Sequence, residues 1–279
     1  MYVTGRTKAL LRLGTLVTLL FIYFPLLVIL LYAFNTEKVQ TWPIDGLTFD
    51  WFEKAFNNPG VRDALWTSVK CGLGATAIAL FLGTCAAMAV SRYRFFGRET
   101  ISFLVLLPIA LPGIVTGMAL NATFREVLEP FGVSLGLFTI IVGHATFCIV
   151  VVYNNVVARL RRVGGSLEEA SADLGADTWQ TFRLVTMPSL RSAMLAGALL
   201  AFALSFDEII VTTFTAGSEE TLPIWIFTNL ARPNQLPIVN VVAVLVILLS
   251  MIPVYFAQRL TRERDDEPGV VPVPAAGGH

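Results

Sequence analysis

Two adjacent carboxylates, Asp207-Glu208, stand inside a long apolar run of this 279-residue chain. An ionised carboxylate in such surroundings needs a counter-charge, so the pair suits either a cation in a pathway or a salt bridge to a partner chain. About ten residues separate it from Gly217, roughly 15 Å if the run is helical. Adjacent helix positions diverge by about 100°, which would turn one acid to the pathway and the other to a neighbouring helix. Trp225, in the segment 222–230, offers a ring face to an ammonium group or else serves as an interfacial aromatic without a ligand. Other chemistry finds little to work with. His144 and Asn154-Asn155 suit hydrogen bonds between helices. Cys71, Cys85 and Cys148 lie in apolar stretches without C-x-x-C spacing, so they suggest neither a disulfide framework nor a metal site. A membrane-embedded enzyme would need a nucleophile–base pair or metal ligands, and this set supplies neither.

The elements that carry these residues are dictated by composition. Of the residues, 55% are hydrophobic and 14% charged, against roughly a quarter charged in a soluble domain. Lys+Arg and Asp+Glu both number 20, so net charge points to no nucleic-acid partner. A bilayer core about 30 Å thick is crossed by roughly 20 apolar helical residues. Runs of that kind lie near 10–34, 70–90, 101–120, 135–157, 190–215 and 238–258. The expected fold class is an all-α polytopic membrane protein with six transmembrane helices. The first run follows Arg6, Lys8 and Arg12; it is too long for a cleavable signal and lacks an A-x-A site, so it is expected to be a retained span. Gly72, Gly74, Gly83, Thr84, Ala86 and Ala87 predict a second span buried in a bundle. Pro108 and Pro112 break the third, freeing carbonyls that protein or water must satisfy; the break either lines a substrate path or is a packing kink.

Charge sets the expected orientation. With a cytoplasmic N-terminus, 14 of the 20 basic residues fall inside, among them Arg92, Arg94, Arg98, Arg159, Arg161 and Arg162. The positive-inside bias thus places both termini in the cytoplasm. The chain divides into 1–67, a first span and outer loop; 68–264, a five-helix core; and 265–279, a Pro- and Gly-rich tail expected to be disordered. In the outer loop Asp50 is expected to cap a short helix carrying Trp51, Phe52, Ala55 and Phe56.

The loop at 159–188 is unlike the others. Ser166 precedes Glu169 by three residues, a capping-box spacing, and Glu168 adds charge favourable to the helix dipole. Leu167, Ala170, Ser171 and Leu174 then share a face, Gly175 stops the helix, and Asp177 with Gln180 repeats the box before Trp179, Phe182 and Val185. A helix–turn–helix with an apolar face outside the bilayer is either a docking surface or packed on the chain's own loops.

Glu169-Ala170-Ser171, then Gly175, then Val185, Met187 and Pro188 resemble the EAA loop of type I ABC importer permeases. The family pattern is Glu-Ala-Ala, three residues, Gly, nine residues, Ile, one residue, Leu-Pro; Ser, Val and Met replace the second Ala, the Ile and the Leu. The resemblance implies that Glu169, Ala170, Leu174 and Gly175 couple to an ATPase. Ser205-Phe206-Asp207-Glu208, Phe214, Ala216-Gly217 and Leu222-Pro223, with 92–98 and 106–113, resemble the second permease subunit of spermidine/putrescine importers, although Glu208 replaces a second Asp. The implied assembly has a homologous permease, two ATP-binding subunits, an extracytoplasmic solute-binding protein and membrane lipid. Asp207, Glu208 and Trp225 would line the substrate pathway. The sequence holds no G-x-x-x-x-G-K-[ST] loop, so the chain is expected to be non-catalytic and to bind no cofactor, with ATP and Mg on the partner ATPase. A permease for ferric iron, thiamine, sulfate or an opine, or a gated channel, are the other readings.

Overall fold

The computed structural model describes residues 5–262, with side chains to 251; the tail 265–279 expected to be disordered lies outside the described residues. The described chain is helical, and it separates into two units: residues up to Thr67 with Glu220–Leu248, and Ser68–Glu219 with the residues from Leu249.

In the first unit, α1 (Gly5–Ala33) is 29 residues long, about 43 Å at 1.5 Å per residue and so longer than a bilayer core. Its side chains are exposed almost throughout, Phe21 by 82%, as befits a helix solvated by lipid. The short α2 (Asp50–Phe56) is anchored by Trp51, whose Nε1 donates to the Asn35 carbonyl at 2.7 Å. Asp50 is not its cap: Phe49 holds that position, and the Asp50 amide itself donates to Thr48 Oγ1 at 3.2 Å. Asp50 and Glu53 still place negative charge in the first turn, where the dipole favours it. The long α3 (Pro59–Arg92) begins in this unit, which also holds α11 (Leu222–Leu230) and the start of α12 (Leu236–Arg262).

The second unit is built around α6 (Leu137–Val163). It contains α4 (Arg98–Ala110), α5 (Gly113–Thr123), α7 (Ser166–Asp173), α8 (Thr178–Thr181), α9 (Met187–Phe206) and α10 (Ile210–Thr215). Its core joins Ala75, Ala79 and Ala87 of α3 to Val152 and Val156 of α6 and Leu190 and Ala201 of α9. Small residues permit this because lipid supplies no hydrophobic drive and close backbone approach must do so instead. A Cβ on Gly83 would lie 3.0 Å from the Ile149 carbonyl oxygen and 3.1 Å from the Val152 Cβ, and one on Gly197 would lie 3.2 Å from the Val152 Cα. The two glycines thus bring α3 and α9 against α6 at the same residue.

Among the described residues, four continuous helices are long and apolar enough to span a membrane: Gly5–Ala33, Pro59–Arg92, Leu137–Val163 and Thr178–Phe206. The expected third span is instead two helices, Arg98–Ala110 and Gly113–Phe131, bent by 105°. The break falls at one proline only. Leu111 is extended (φ −82°, ψ 145°) because the ring of Pro112 excludes the helical conformation from the residue before it, whereas Pro108 is accommodated within α4. The sixth expected span lies in α12, whose apolar described stretch is Leu236–Met251.

Candidate coupling elbow and acidic helix break

The loop 159–188 forms an elbow. Gly175 at φ +86° ends the first arm, with its N–H bonded to the Ala172 carbonyl at 2.9 Å and that of Ala176 to Ser171 at 3.1 Å. This paired pattern needs a left-handed residue, which glycine adopts without a Cβ penalty. The Asp177–Gln180 capping box forms as expected, at 2.8 and 3.0 Å. The Ser166–Glu169 box does not. Ser166 lies within α7, Gly165 occupies the cap position, and its carbonyl takes the amides of both Glu168 and Glu169 at 3.0 Å.

The second arm is not a separate helix, for residues Thr178–Phe206 run as one 29-residue element. Pro188 has no amide and its ring crowds the carbonyl four residues back, so the ladder widens over Phe182–Thr186, where the Met187 N–H reaches back to Phe182. Pro130 stands at the same offset from a second wide turn, Phe124–Leu128. On the elbow surface Leu167 (53%), Leu174 (90%) and Trp179 (65%) are exposed, with Glu169 and Ala170 beside them. Ser171, expected on that face, is tied to Thr181 at 3.0 Å between hydroxyls. Behind the elbow lies a cavity of about 540 Å³ whose lining includes Met88, Arg92, Tyr93, Trp179 and Phe182.

The long element that starts at the elbow stops at Asp207, and Asp207–Ile209 are not helical. The two acids therefore occupy a helix break, not adjacent positions of a continuous helix. Asp207 is exposed; Glu208 is half-buried, lines a cavity of about 160 Å³ with Pro108, Gly113, Phe147 and Leu204, and accepts the Val211 N–H at 2.9 Å. The same cavity is bounded by both broken elements, since α5 lies along α10 with Asn121 Nδ2 donating to the Phe214 carbonyl at 2.5 Å. His144, fully buried, reaches Ser205 Oγ at the end of α9 and Thr212 Oγ1 in α10, each at 2.7 Å, and so bridges the break as a hydrogen-bonding residue between helices.

Trp225 is elsewhere. It is 4% exposed and belongs to the first unit, with its Nε1 3.0 Å from where a Cβ on Gly60 would stand. The position that sequence reasoning passed over is Glu168. Its carboxylate pairs with Arg92 Nε at 2.9 Å and accepts from Thr186 Oγ1 at 3.0 Å; its sequence signal was no more than an acid in a first turn.

The chain is similar to known proteins in sequence and in fold. A family model for the inner membrane component of binding-protein-dependent transport systems matches residues 75–264. The spermidine/putrescine transport system permease protein PotC of Haemophilus influenzae is 32% identical over 247 residues, 88% of this chain and 93% of that protein. The putrescine transport system permease protein PotI of Escherichia coli is 31% identical over 253 residues, 88% of this chain and 89% of that one. Among solved structures, a bacterial ABC transporter for import of alginate aligns with TM-score 0.67 at 17% identity, covering 94% of this chain and 99% of that one. The MetNI methionine ABC transporter aligns with TM-score 0.59 at 19% identity, covering 78% and 99%. The fold is accordingly that of an all-α, polytopic type I ABC importer permease. By the extent of the family match and of the identity to its relatives, the chain belongs to the inner membrane components of binding-protein-dependent transport systems.

Proposed function

We propose that this subunit carries polyamines, putrescine or spermidine, inward across the bacterial cytoplasmic membrane, at the expense of ATP hydrolysed by separate subunits. One observation carries the reading: the exposed elbow and the acidic break are the two ends of one helix, Thr178–Phe206. At 29 residues it spans about 43 Å, so force applied to the elbow is delivered where Glu208 lines its cavity. The solute follows from the acids and from relatives whose names specify spermidine and putrescine. A flexible polycation suits carboxylates held in a low-dielectric passage.

In this reading the chain pairs with a homologous permease, two ATP-binding subunits and an extracytoplasmic solute-binding protein within membrane lipid. Both of its termini are cytoplasmic. Glu169, Ala170, Leu174 and Gly175 seat the elbow in the ATPase, which holds ATP and Mg; the chain itself is non-catalytic and binds no cofactor. ATP-driven closure shifts the population between outward- and inward-open states. Asp207 and Glu208 face the solute. The test is uptake of labelled putrescine and spermidine in a strain lacking the gene, complemented with wild type, Asp207→Asn or Glu208→Gln. Each variant is expected to keep the assembly and lose about tenfold or more in uptake, the scale of one lost charge contact. Undiminished uptake by both would refute the cation pathway.

A further inference from the structure

Glu168 and Glu169 are neighbours on α7, so their side chains diverge by about 100°, and they serve opposite sides. Glu169 is exposed beside Leu167 and Leu174 on the outer face of the elbow. Glu168 turns towards the bundle, where its carboxylate holds Arg92 Nε at 2.9 Å and Thr186 Oγ1 at 3.0 Å. Arg92 in turn donates its Nη2 to the Gly164 carbonyl at 2.6 Å. One carboxylate therefore joins α7 to the last residue of α3, to the end of α6 through Arg92, and to the wide turn that leads into α9.

Holding the elbow together does not require this joint. Gly175 and its two backbone bonds close the first arm, Ser171 ties α7 to Thr181, and Asp177 with Gln180 starts the second. What the joint adds is direction. α9 follows the elbow directly in the chain, but α3 does not adjoin it: 75 residues lie between Arg92 and Glu168 in sequence. A carboxylate with a guanidinium on one side and a hydroxyl on the other is a directional, charge-assisted contact. The two charged side chains are 20% and 25% exposed, so solvent screens the pair and its static contribution is small. Its geometry matters more than its strength.

We propose that Glu168 is the positioning residue through which displacement of the elbow is passed to α3 as well as α9, so that the two helices move together. This rests on the importer reading. The experiment uses the complete importer, purified with its ATPase and reconstituted in liposomes with its binding protein. Labelled putrescine taken up and phosphate released are measured together, giving solute moved per ATP. In Glu168→Ala the ATPase stays bound, because the outer face is untouched, and hydrolysis stays within about twofold of wild type, while solute per ATP falls about tenfold or more. Thr186→Val lowers the ratio in the same direction, and the charge exchange Arg92→Glu with Glu168→Arg restores most of it.

An intact complex in which Glu168→Ala leaves the ratio unchanged overturns the proposal. So does loss of the ATPase, or an equal fall in hydrolysis and uptake, since either makes Glu168 a docking or merely structural residue. If Glu168→Ala fails to reach the membrane, the size-matched Glu168→Gln decides by the same ratio. A wild-type preparation that contains no ATPase is a different failure, which removes the importer reading and this joint with it.

Discussion

Replacing Gly175 by alanine isolates the contribution of elbow geometry to docking. Gly175 stands at φ +86°, and a Cβ added there meets nothing within 4 Å. The substitution therefore carries no packing term, and its cost is the backbone penalty of an L-residue in the left-handed region, roughly 1–2 kcal/mol. That is a factor of roughly 5–30 in the population of the elbow conformation. Because an apparent dissociation constant scales inversely with the competent fraction, ATPase affinity weakens by up to roughly the same factor. The assay titrates labelled ATPase subunit onto the permease in lipid nanodiscs. Gly97→Ala is the control: Gly97 has the same φ of +86° and equally open space, yet it stands at the start of α4, outside the elbow. It carries the same conformational penalty and should leave affinity unchanged. Wild-type affinity in Gly175→Ala, or an equal loss in Gly97→Ala, would show that docking does not depend on the angle set at Gly175.

Three further outcomes follow from packing and polar contacts. In Gly83→Val the new Cβ stands 3.0 Å from the Ile149 carbonyl oxygen and 3.1 Å from Val152 Cβ, so α3 must retreat; overpacking of about 1–3 kcal/mol should lower the melting temperature in detergent. Gly197→Val attacks α6 from α9, at 3.2 Å from the Val152 Cα. Since both act at Val152, the double variant should lose a different amount from the sum of the two, whereas simple additivity would mean that the contacts are independent. His144→Phe removes both ring nitrogens and leaves Ser205 without that partner in a buried site, while Thr212 keeps its bond to the Glu208 carbonyl at 2.7 Å. A loss of about 1–3 kcal/mol is expected in a melting or denaturant series, and a variant as stable as wild type would mean that the bridge across the break holds nothing.

How much of this was legible in the sequence depends on how local each feature is. Gly175, Asp177 and Gln180 were readable because their conformations are decided within four residues. The extended Leu111 was likewise implied by the ring of Pro112, although the second proline misled, since Pro108 stays inside α4. The failed Ser166–Glu169 box shows the limit of spacing alone: Gly165 begins the helix one residue earlier than the motif requires. The joint at Glu168 was beyond reach, because its partners Arg92 and Thr186 are 76 and 18 residues away and only tertiary packing brings them together. The burial of Trp225 was equally out of reach, since Gly60, beside its ring nitrogen, is 165 residues away.

The break at Asp207 was the least foreseeable feature, for no proline or glycine marks it. It also changes the energetics of the acids. An ionised carboxylate at the centre of a membrane helix costs roughly 2.5–3.5 kcal/mol because nothing nearby replaces its water. Glu208 is not in that position. It lies at the start of α10, where amides have no intrahelical acceptor, and it accepts one of them from Val211 at 2.9 Å. Interrupting the helix therefore supplies the polar partner that a continuous helix would withhold, and Asp207, exposed at the end of α9, gains no such bond among the hydrogen bonds of the break. Neutralising the two acids should thus have unequal effects on stability. Glu208→Gln weakens a charge-assisted bond that organises α10, so it should lower the melting temperature more than Asp207→Asn does, even where the two lose similar uptake. The reverse order would mean that the bond from the Val211 N–H to Glu208 does not hold the break in shape.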